Sequence, residues 1–238
     1  FSSMPIDIVW MKHSSNPMDF WAGWKSETWA TPFSGFRWGI PAACGYKGQA
    51  IYMDSDMVIL EDLAELWNAP WDDGAIIQMK GGWRTCVAKW NCDRAGQVLP
   101  PIEEIKNHPR SHQELFSLLQ QHPHLVQQFD RQWNNFDGEN DKMENIKILH
   151  YTDMSTQPHG KYAVPRLEAE GRKHWFDGEF RTHRRQDVQD TFDKYYNEAL
   201  FDGMLPGDYY DLDNIVEYDK ESQAGYTSAN GFDVTKGQ

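Results

Sequence analysis

The sequence predicts a layered α/β fold with a helical C-terminal extension. Short apolar runs that are typical of strands alternate with stretches of helical spacing, and a charged, mostly helical pattern follows residue 160. The chain of 238 residues suits one such domain with an appended subdomain. We therefore expect residues 1–160 to form the α/β domain, and residues 161–238 to form a helical extension and a flexible tail.

Each element of this prediction rests on a local pattern. Apolar runs predict strands at residues 5–11, 50–53, 75–79, 85–90 and 145–151. Helical spacing predicts helices at residues 33–43, 62–67, 101–129 and 166–204. Pro41 is expected to shorten the first of these helices, and Pro109 and Pro123 to break the third. Residues 12–32 are expected to form a loop, Gly45 to Gly48 a turn, and residues 215–238 a frayed end.

Composition restricts the partners of the chain. A formal net charge of −13 argues against a nucleic-acid backbone or an anionic membrane surface as a general partner. The three cysteines are odd in number and form no CxxC pair, which favours a reducing, cytosolic location over a disulfide framework. No apolar stretch reaches the length of a membrane span, and no secretory signal is visible. Eleven tryptophans are a weak hint of carbohydrate handling.

The most informative motif is Asp54-Ser55-Asp56, which interrupts two apolar runs. Unpartnered carboxylates are costly to bury, so the pair predicts a positively charged partner. A hard divalent cation is the obvious one, since Mg²⁺ and Mn²⁺ prefer carboxylate oxygen and share it with substrate phosphates. The serine spacer allows the two carboxylates to converge at a strand end, where open α/β sheets bind ligands. Helix-capping aspartates are the alternative.

Further candidates lie outside this motif, and each has a simpler structural interpretation. His150 ends a predicted strand and would complete a carboxylate–carboxylate–imidazole set, although a lone histidine is more often a hydrogen-bonded structural residue. Arg37 lies in an apolar helix, where it either reaches solvent or binds phosphate or carboxylate oxygens. Trp133 and Asn134 form either a core tryptophan with a polar turn or a sugar-binding stack with an amide.

In order and spacing, these blocks resemble the nucleotide-sugar glycosyltransferases of the glycogenin and lipopolysaccharide galactosyltransferase type. The matching blocks are an aromatic helix with an arginine at 33–41, a turn at 45–48, a strand ending in the aspartate pair at 51–56, and a leucine-rich helix at 62–67. The Trp133-Asn134 and His150-Tyr151 pairs match two later blocks. The resemblance covers roughly residues 5–160 and implies a GT-A-like (Rossmann-like) mixed sheet flanked by helices.

The resemblance also implies the activity and the site. It implies a hexosyltransferase of the retaining kind that moves a sugar from a nucleotide diphosphate donor, with a UDP-sugar expected first, to a glycan, lipid-linked or protein acceptor. Asp54, Asp56 and His150 would hold Mn²⁺ or Mg²⁺, and Arg37, Asp54, Ser55, Trp133 and Asn134 would bind the donor. No residue stands out as a nucleophile. A lipid-linked acceptor would bring the protein to a membrane only peripherally.

The sequence departs from the family pattern in several places. No strand for the nucleotide base is visible before residue 5, Asp153 replaces a glycine, and Gln157 stands near the position of a basic residue. The family's Asn-Ala-Gly-Val-like strand is matched poorly by residues 84–87. Donor, acceptor and oligomeric state stay open.

Two alternatives to the glycosyltransferase follow from these observations. A phosphatase of the haloacid dehalogenase type also carries an apolar strand that ends in D-x-D, and its first aspartate attacks phosphorus. The other alternative is a nucleotide-sugar or glycan-binding module without turnover.

Overall fold

A computed structural model of the chain describes residues 2–12, 14–25, 34–172, 174, 176 and 178–204. Over these residues the protein is a mixed α/β structure in which two sheets are flanked by helices. The strands are β1 (Gln49–Met53), β2 (Met57–Ile59), β3 (Ile77–Lys80), β4 (Arg84–Asn91), β5 (Val126–Gln128), β6 (Asn135–Phe136) and β7 (Ile148–His150). The α-helices are α1 (Ile40–Ala43), α2 (Leu63–Asn68), α3 (Cys92–Val98), α4 (Ile102–Asn107), α5 (Ser111–Gln121), α6 (Gly160–Ala169) and α7 (Gln186–Phe201).

The larger sheet has four strands in the order β1-β4-β3-β5. β4 pairs antiparallel with both β1 and β3, whereas β3 and β5 run parallel, so the sheet is mixed. All of β3 is buried, and so are Val87 to Trp90 in β4, because helices and loops cover the centre of the sheet. Because β3 is buried on both faces, its sequence shows an apolar run, interrupted at Gln78, and no strict alternation of apolar and polar residues.

The smaller sheet has three strands in the order β2-β7-β6. β2 pairs antiparallel with β7, and β6 lies parallel to β7. Helix α7 of the C-terminal extension covers this sheet, since Val188 and Phe192 contact an apolar cluster that includes Leu149 and Tyr151. The Tyr151 hydroxyl also donates to the carbonyl of Val188 at 3.1 Å. The described part of the extension therefore shares a core with the sheet.

Most of the tryptophans that the structure describes lie in the core. Trp38 and Trp90 meet edge-to-face with ring centroids 5.7 Å apart, and Trp38 also contacts Phe116 of α5. Trp21 and Trp24 are buried against Phe36 in the same cluster. Aromatic rings of this size bury much apolar surface and provide a large share of the core. Packing therefore accounts for the buried tryptophans of the described residues, whereas Trp10 and Trp83 are exposed.

The structure confirms the prediction for most elements. The strands expected at 50–53, 75–79, 85–90 and 145–151 are β1, β3, β4 and β7, with ends that shift by at most three residues. The turn before β1 contains Gly45, Tyr46 and Gly48 at positive φ, a conformation that glycine adopts without strain. The predicted short helix is α2, and Asp62 caps it by accepting a hydrogen bond from the Ala64 amide at 2.9 Å.

Other expectations need correction. Residues 5–11 were expected to form a strand, but no described strand pairs with them, and Ile8 and Val9 are more than two-thirds exposed. The apolar run alone was not sufficient, because a strand needs a neighbour for its backbone groups. The helical stretch predicted to residue 129 ends earlier, since residues 126–128 pair with β3 as β5. Described residues between 170 and 185 form no helix.

Some expectations fall outside the described residues, among them the loop at 26–32, Phe33 in the first predicted helix, and the tail at 215–238. The first helix itself is shorter than expected: a 3₁₀ turn over Phe36–Gly39 leads into α1. None of the helices in the described ranges is both long and apolar enough to cross a bilayer.

His112 makes the core sensitive to acid. Its Nδ1 accepts a hydrogen bond from Trp38 Nε1 at 2.8 Å, and burial, with a smaller contribution from Arg37, lowers the pKa of His112 to about 4. Because the folded protein then binds this proton less readily than the unfolded chain, stability falls as pH drops from about 6.5 towards 4. Between about pH 7 and pH 4.5 we expect the wild type to lose roughly 2–3 kcal/mol more than His112→Gln.

Urea unfolding of both proteins at the two pH values measures this difference. His122→Gln, at an exposed position outside the core, is measured alongside as the matched histidine-to-glutamine control. An equal acid loss in His112→Gln and the wild type would show that His112 does not titrate in this range.

Candidate metal centre between the two sheets

The aspartate pair lies where the chain leaves one sheet and enters the other. β1 ends at Met53 in the larger sheet, and β2 begins at Met57 in the smaller one. The Asp54 amide donates to the carbonyl of Cys86 in β4 at 3.0 Å, and the carbonyl of Asp56 accepts from the Tyr151 amide at 3.0 Å. The two backbone contacts fix one aspartate to each sheet.

Asp56 meets His150 directly. The imidazole Nε2 lies 3.2 Å from Asp56 Oδ1, and the other carboxylate oxygen accepts a hydrogen bond from Gln157 Nε2 at 3.1 Å. On its opposite side, Nδ1 of His150 lies 3.3 Å from Asn134 Oδ1. An amide oxygen in this position favours a proton on Nδ1 and thereby leaves Nε2 to face the carboxylate or a cation. His150 is 5% exposed, so its orientation is well defined.

Asp54 is held by Arg37 and Tyr52. A guanidinium nitrogen of Arg37 lies 3.4 Å from Asp54 Oδ1, and the Tyr52 hydroxyl donates to the same oxygen. The second terminal nitrogen of Arg37 donates to Thr85 Oγ1 at 2.6 Å, and the guanidinium carbon lies 5.0 Å from the centre of the Tyr52 ring. Arg37 therefore points inward to a carboxylate of the protein and not to solvent, and its role in binding a donor stays a prediction.

Cys86 completes the cluster, and the sequence argument did not single it out. One ligand atom each from Asp54, Cys86 and His150 lies within 4.8 Å of the other two. The cysteine count of the sequence bears on disulfide pairing and not on this position. The sequence does place Cys86 near the start of a predicted strand. It does not show that this strand, β4, pairs with β1, which leads to Asp54.

Charges in this cluster compensate one another. Burial by itself would lower the pKa of Arg37, but Tyr52, Asp54 and Cys86 raise it above its ordinary value. Burial likewise lowers the pKa of His150, while hydrogen bonds to Asp56 and Cys86 outweigh it and raise the pKa to about 10. Burial raises the pKa of Tyr52 well above 10, so Tyr52 stays a neutral donor. Each aspartate thus faces one positively charged side chain.

The remaining predicted site residues divide into two groups. Asn134 is fully buried and belongs to the cluster through His150, and its carbonyl accepts a hydrogen bond from Lys80 at 2.9 Å. Ser55 is exposed at the turn between the aspartates. Trp133 is 4% exposed and lies in an apolar cluster with Leu66, so its surroundings favour the core interpretation over a sugar-binding stack.

The structure brings together only part of the predicted ligand set. Among the described residues, Asp54 and His150 lie with Cys86 in a group whose ligand atoms are all within 4.8 Å of one another, whereas Asp56 contacts His150 but does not belong to that group. Two carboxylates and an imidazole suit Mn²⁺, and the buried amide of Asn134 orients the imidazole, so the set would fit a divalent cation once the two aspartates converge. Such a cation would take over the positive charge that Arg37 and the protonated His150 supply. No protein-family model matches this sequence, and no curated protein matches it with significance.

Proposed function

We propose that this chain is a metal-dependent glycosyltransferase domain of the GT-A type, which uses a nucleotide diphosphate sugar as donor. A UDP-sugar is the first candidate, and the acceptor is a glycan, a lipid-linked glycan or a protein. The observation that carries the proposal is the contact of His150 with Asp56 at 3.2 Å. Two blocks that are far apart in the sequence, and that the family resemblance assigns to one metal site, lie side by side.

The surroundings of Asp54 favour a transferase over the phosphatase alternative. Asp54 would be the nucleophile of a phosphatase, yet its Oδ1 accepts hydrogen bonds from both Arg37 and Tyr52. In addition, β1 is an edge strand of the described sheet and pairs antiparallel with β4. The phosphatase alternative gives no role to His150, whereas a cation site uses both aspartates and the histidine.

The mechanism assigns each side chain one task. Asp54, Asp56 and His150 would hold Mn²⁺ or Mg²⁺, and the bound ion would stabilise the negative charge that develops on the diphosphate leaving group. Arg37 holds Asp54 while no cation is bound and provides a second positive charge close to the site. Asn134 orients His150, and Gln157 orients Asp56. A retaining transferase needs no catalytic base on the leaving nucleotide, and we assign no nucleophile.

Calorimetric titration of UDP with and without Mn²⁺ tests the proposal. We expect binding that requires Mn²⁺ in the wild type and that weakens at least about 100-fold in Asp56→Ala, because a ligand of the cation is lost. The exposed Asp73 supplies the matched control, since Asp73→Ala should bind like the wild type. Turnover is then measured by a screen of UDP-sugars and acceptors.

The outcomes separate the three functions. Mn²⁺-dependent UDP binding with sugar transfer supports the transferase. The same binding without transfer to any acceptor or to water indicates a binding module. Absence of UDP binding together with release of phosphate from simple phosphate esters would overturn the proposal in favour of the phosphatase.

Gln157→Ala should weaken Mn²⁺-dependent UDP binding about tenfold, since residues that orient a metal ligand typically change metal affinity by 10- to 100-fold. Gln157 is 5% exposed, and its amide donates both to Asp56 and to the carbonyl of Tyr151 at 2.6 Å. The same titration measures the effect, with the exposed Gln120 as control in Gln120→Ala. An unchanged affinity in Gln157→Ala would show that Asp56 needs no support from this amide.

A further inference from the structure

The thiol of Cys86 lies in the cation site. β1 and β4 pair from Gln49–Asn91 to Met53–Val87, and the hydrogen bond from the Asp54 amide to the Cys86 carbonyl extends this register by one residue. Asp54 and Cys86 are therefore neighbours across two strands, and His150 approaches them from the other sheet. Their ligand atoms lie within 4.8 Å of one another.

From this geometry we infer that Asp54, Cys86 and His150 form a site for a thiophilic divalent cation such as Zn²⁺. Zinc binds oxygen and nitrogen ligands at about 2.0–2.2 Å and thiolate at about 2.3 Å, so the ligands of one tetrahedral ion are separated by roughly 3.3–3.8 Å. Small side-chain movements bring the three groups to these separations. Three protein ligands also leave the fourth position open for water or a substrate oxygen, as in catalytic zinc sites.

The chemistry of the three ligands sets the preference. Thiolate is a soft ligand that selects zinc, cobalt and cadmium over magnesium and manganese, whereas Asp54 and His150 suit either class. Cys86 differs in this respect from the other cysteines, since Cys92 is buried in the apolar core and Cys44 is exposed. The Cys86 ligand atom instead lies within 4.8 Å of those of Asp54 and His150, at the polar end of the sheet.

The surroundings of the site support a metal ligand at His150. Asn134 Oδ1 lies 3.3 Å from Nδ1, an arrangement that turns Nε2 towards Asp56 and the cation position, where a bound metal would replace the proton on Nε2. Two ligand sets overlap at this site. The hard set contains Asp56 and the soft set contains Cys86, and both sets use Asp54 and His150. Only one cation therefore binds at a time. The inference rests on the proposed function to this extent: a thiophilic cation competes with Mn²⁺ for the transferase site.

Cobalt spectroscopy tests the site without any assay of activity. Titration of the wild type with Co²⁺ should produce the near-ultraviolet charge-transfer absorption of a cobalt–thiolate bond. We expect the band to persist in Cys44→Ser and to disappear in Cys86→Ser. The Zn²⁺ affinity of Cys86→Ser should fall at least about tenfold while its Mn²⁺ affinity stays within about twofold of the wild type. A Cys86→Ser protein that keeps the band and the zinc affinity overturns the inference.

A measurement on protein with Cys86 intact covers the case in which Cys86→Ser fails to fold. X-ray absorption of one equivalent of Zn²⁺ bound to Cys44→Ser should show one sulfur neighbour at about 2.3 Å. A zinc shell of nitrogen and oxygen alone overturns the inference.

Failure of the inference and failure of the proposed function have different signatures. Mn²⁺-dependent UDP binding without any metal–sulfur bond overturns the thiophilic site and leaves the transferase in place. A cobalt–thiolate band with no UDP binding in any metal supports the thiophilic site and overturns the transferase.

Discussion

Asp54→Asn should abolish Mn²⁺-dependent UDP binding and lower sugar transfer by at least about 100-fold, the scale of losing a main charge-stabilising group in an active site. Asparagine keeps the size of the side chain but carries no charge. The change removes a cation ligand and also leaves Arg37 without its counterion, which lies 3.4 Å away. Both effects weaken the site, since the unpaired guanidinium would repel a divalent cation from the same position.

Calorimetry with UDP and Mn²⁺ and an assay of UDP release measure this loss. The exposed Asp73 again supplies the control, because Asp73→Asn makes the same change of charge away from the cluster. Urea unfolding of Asp54→Asn verifies that the protein is folded at the assay temperature. Binding and transfer within about threefold of the wild type would show that Asp54 is no ligand and would remove the basis of the proposed site.

The central part of the site could be predicted because its signals are local. An apolar run that ends in two acids identifies a strand end with a charge to neutralise, and β1 with Asp54 is found there. His150 was a weaker prediction from the residues alone, since a strand end specifies no partner. The family resemblance connected it to the aspartates; the structure places His150 3.2 Å from Asp56, and a shared metal stays a prediction.

The positions of Cys86, Trp133 and residues 5–11 could not be predicted, because they depend on contacts between distant segments. Cys86 joins the cluster because of the register between β1 and β4, and register is set by the packing of whole strands. Trp133 shows the same limit, since a tryptophan beside polar residues fits a core as well as a sugar site. Residues 5–11 have the composition of a strand, but no described strand lies beside them to accept their hydrogen bonds.

Arg37→Met is the second large effect that we expect, and it concerns stability. The Arg37 side chain is 11% exposed and that of Asp54 22%, so removal of the guanidinium leaves a carboxylate largely shielded from water. Loss of one partner of a fully buried ion pair costs about 3–5 kcal/mol, and the partial exposure of Asp54 reduces this to roughly 2–4 kcal/mol. Methionine retains most of the apolar contact, so the loss reflects charge. Urea unfolding without metal measures it, with the exposed Arg110 changed to Met as control.

Addition of Mn²⁺ distinguishes a cation site from a purely structural ion pair. In the wild type the cation and Arg37 compete for Asp54, whereas in Arg37→Met the carboxylate is free to bind the ion. Because the stabilisation by a ligand grows with the logarithm of its affinity for the folded state, Mn²⁺ should raise the free energy of unfolding more in Arg37→Met than in the wild type. If Mn²⁺ stabilises the two proteins equally, Asp54 serves only as the counterion of Arg37. A larger gain in the variant means that arginine and metal alternate at one carboxylate, so Arg37 would keep Asp54 in place while no cation is bound.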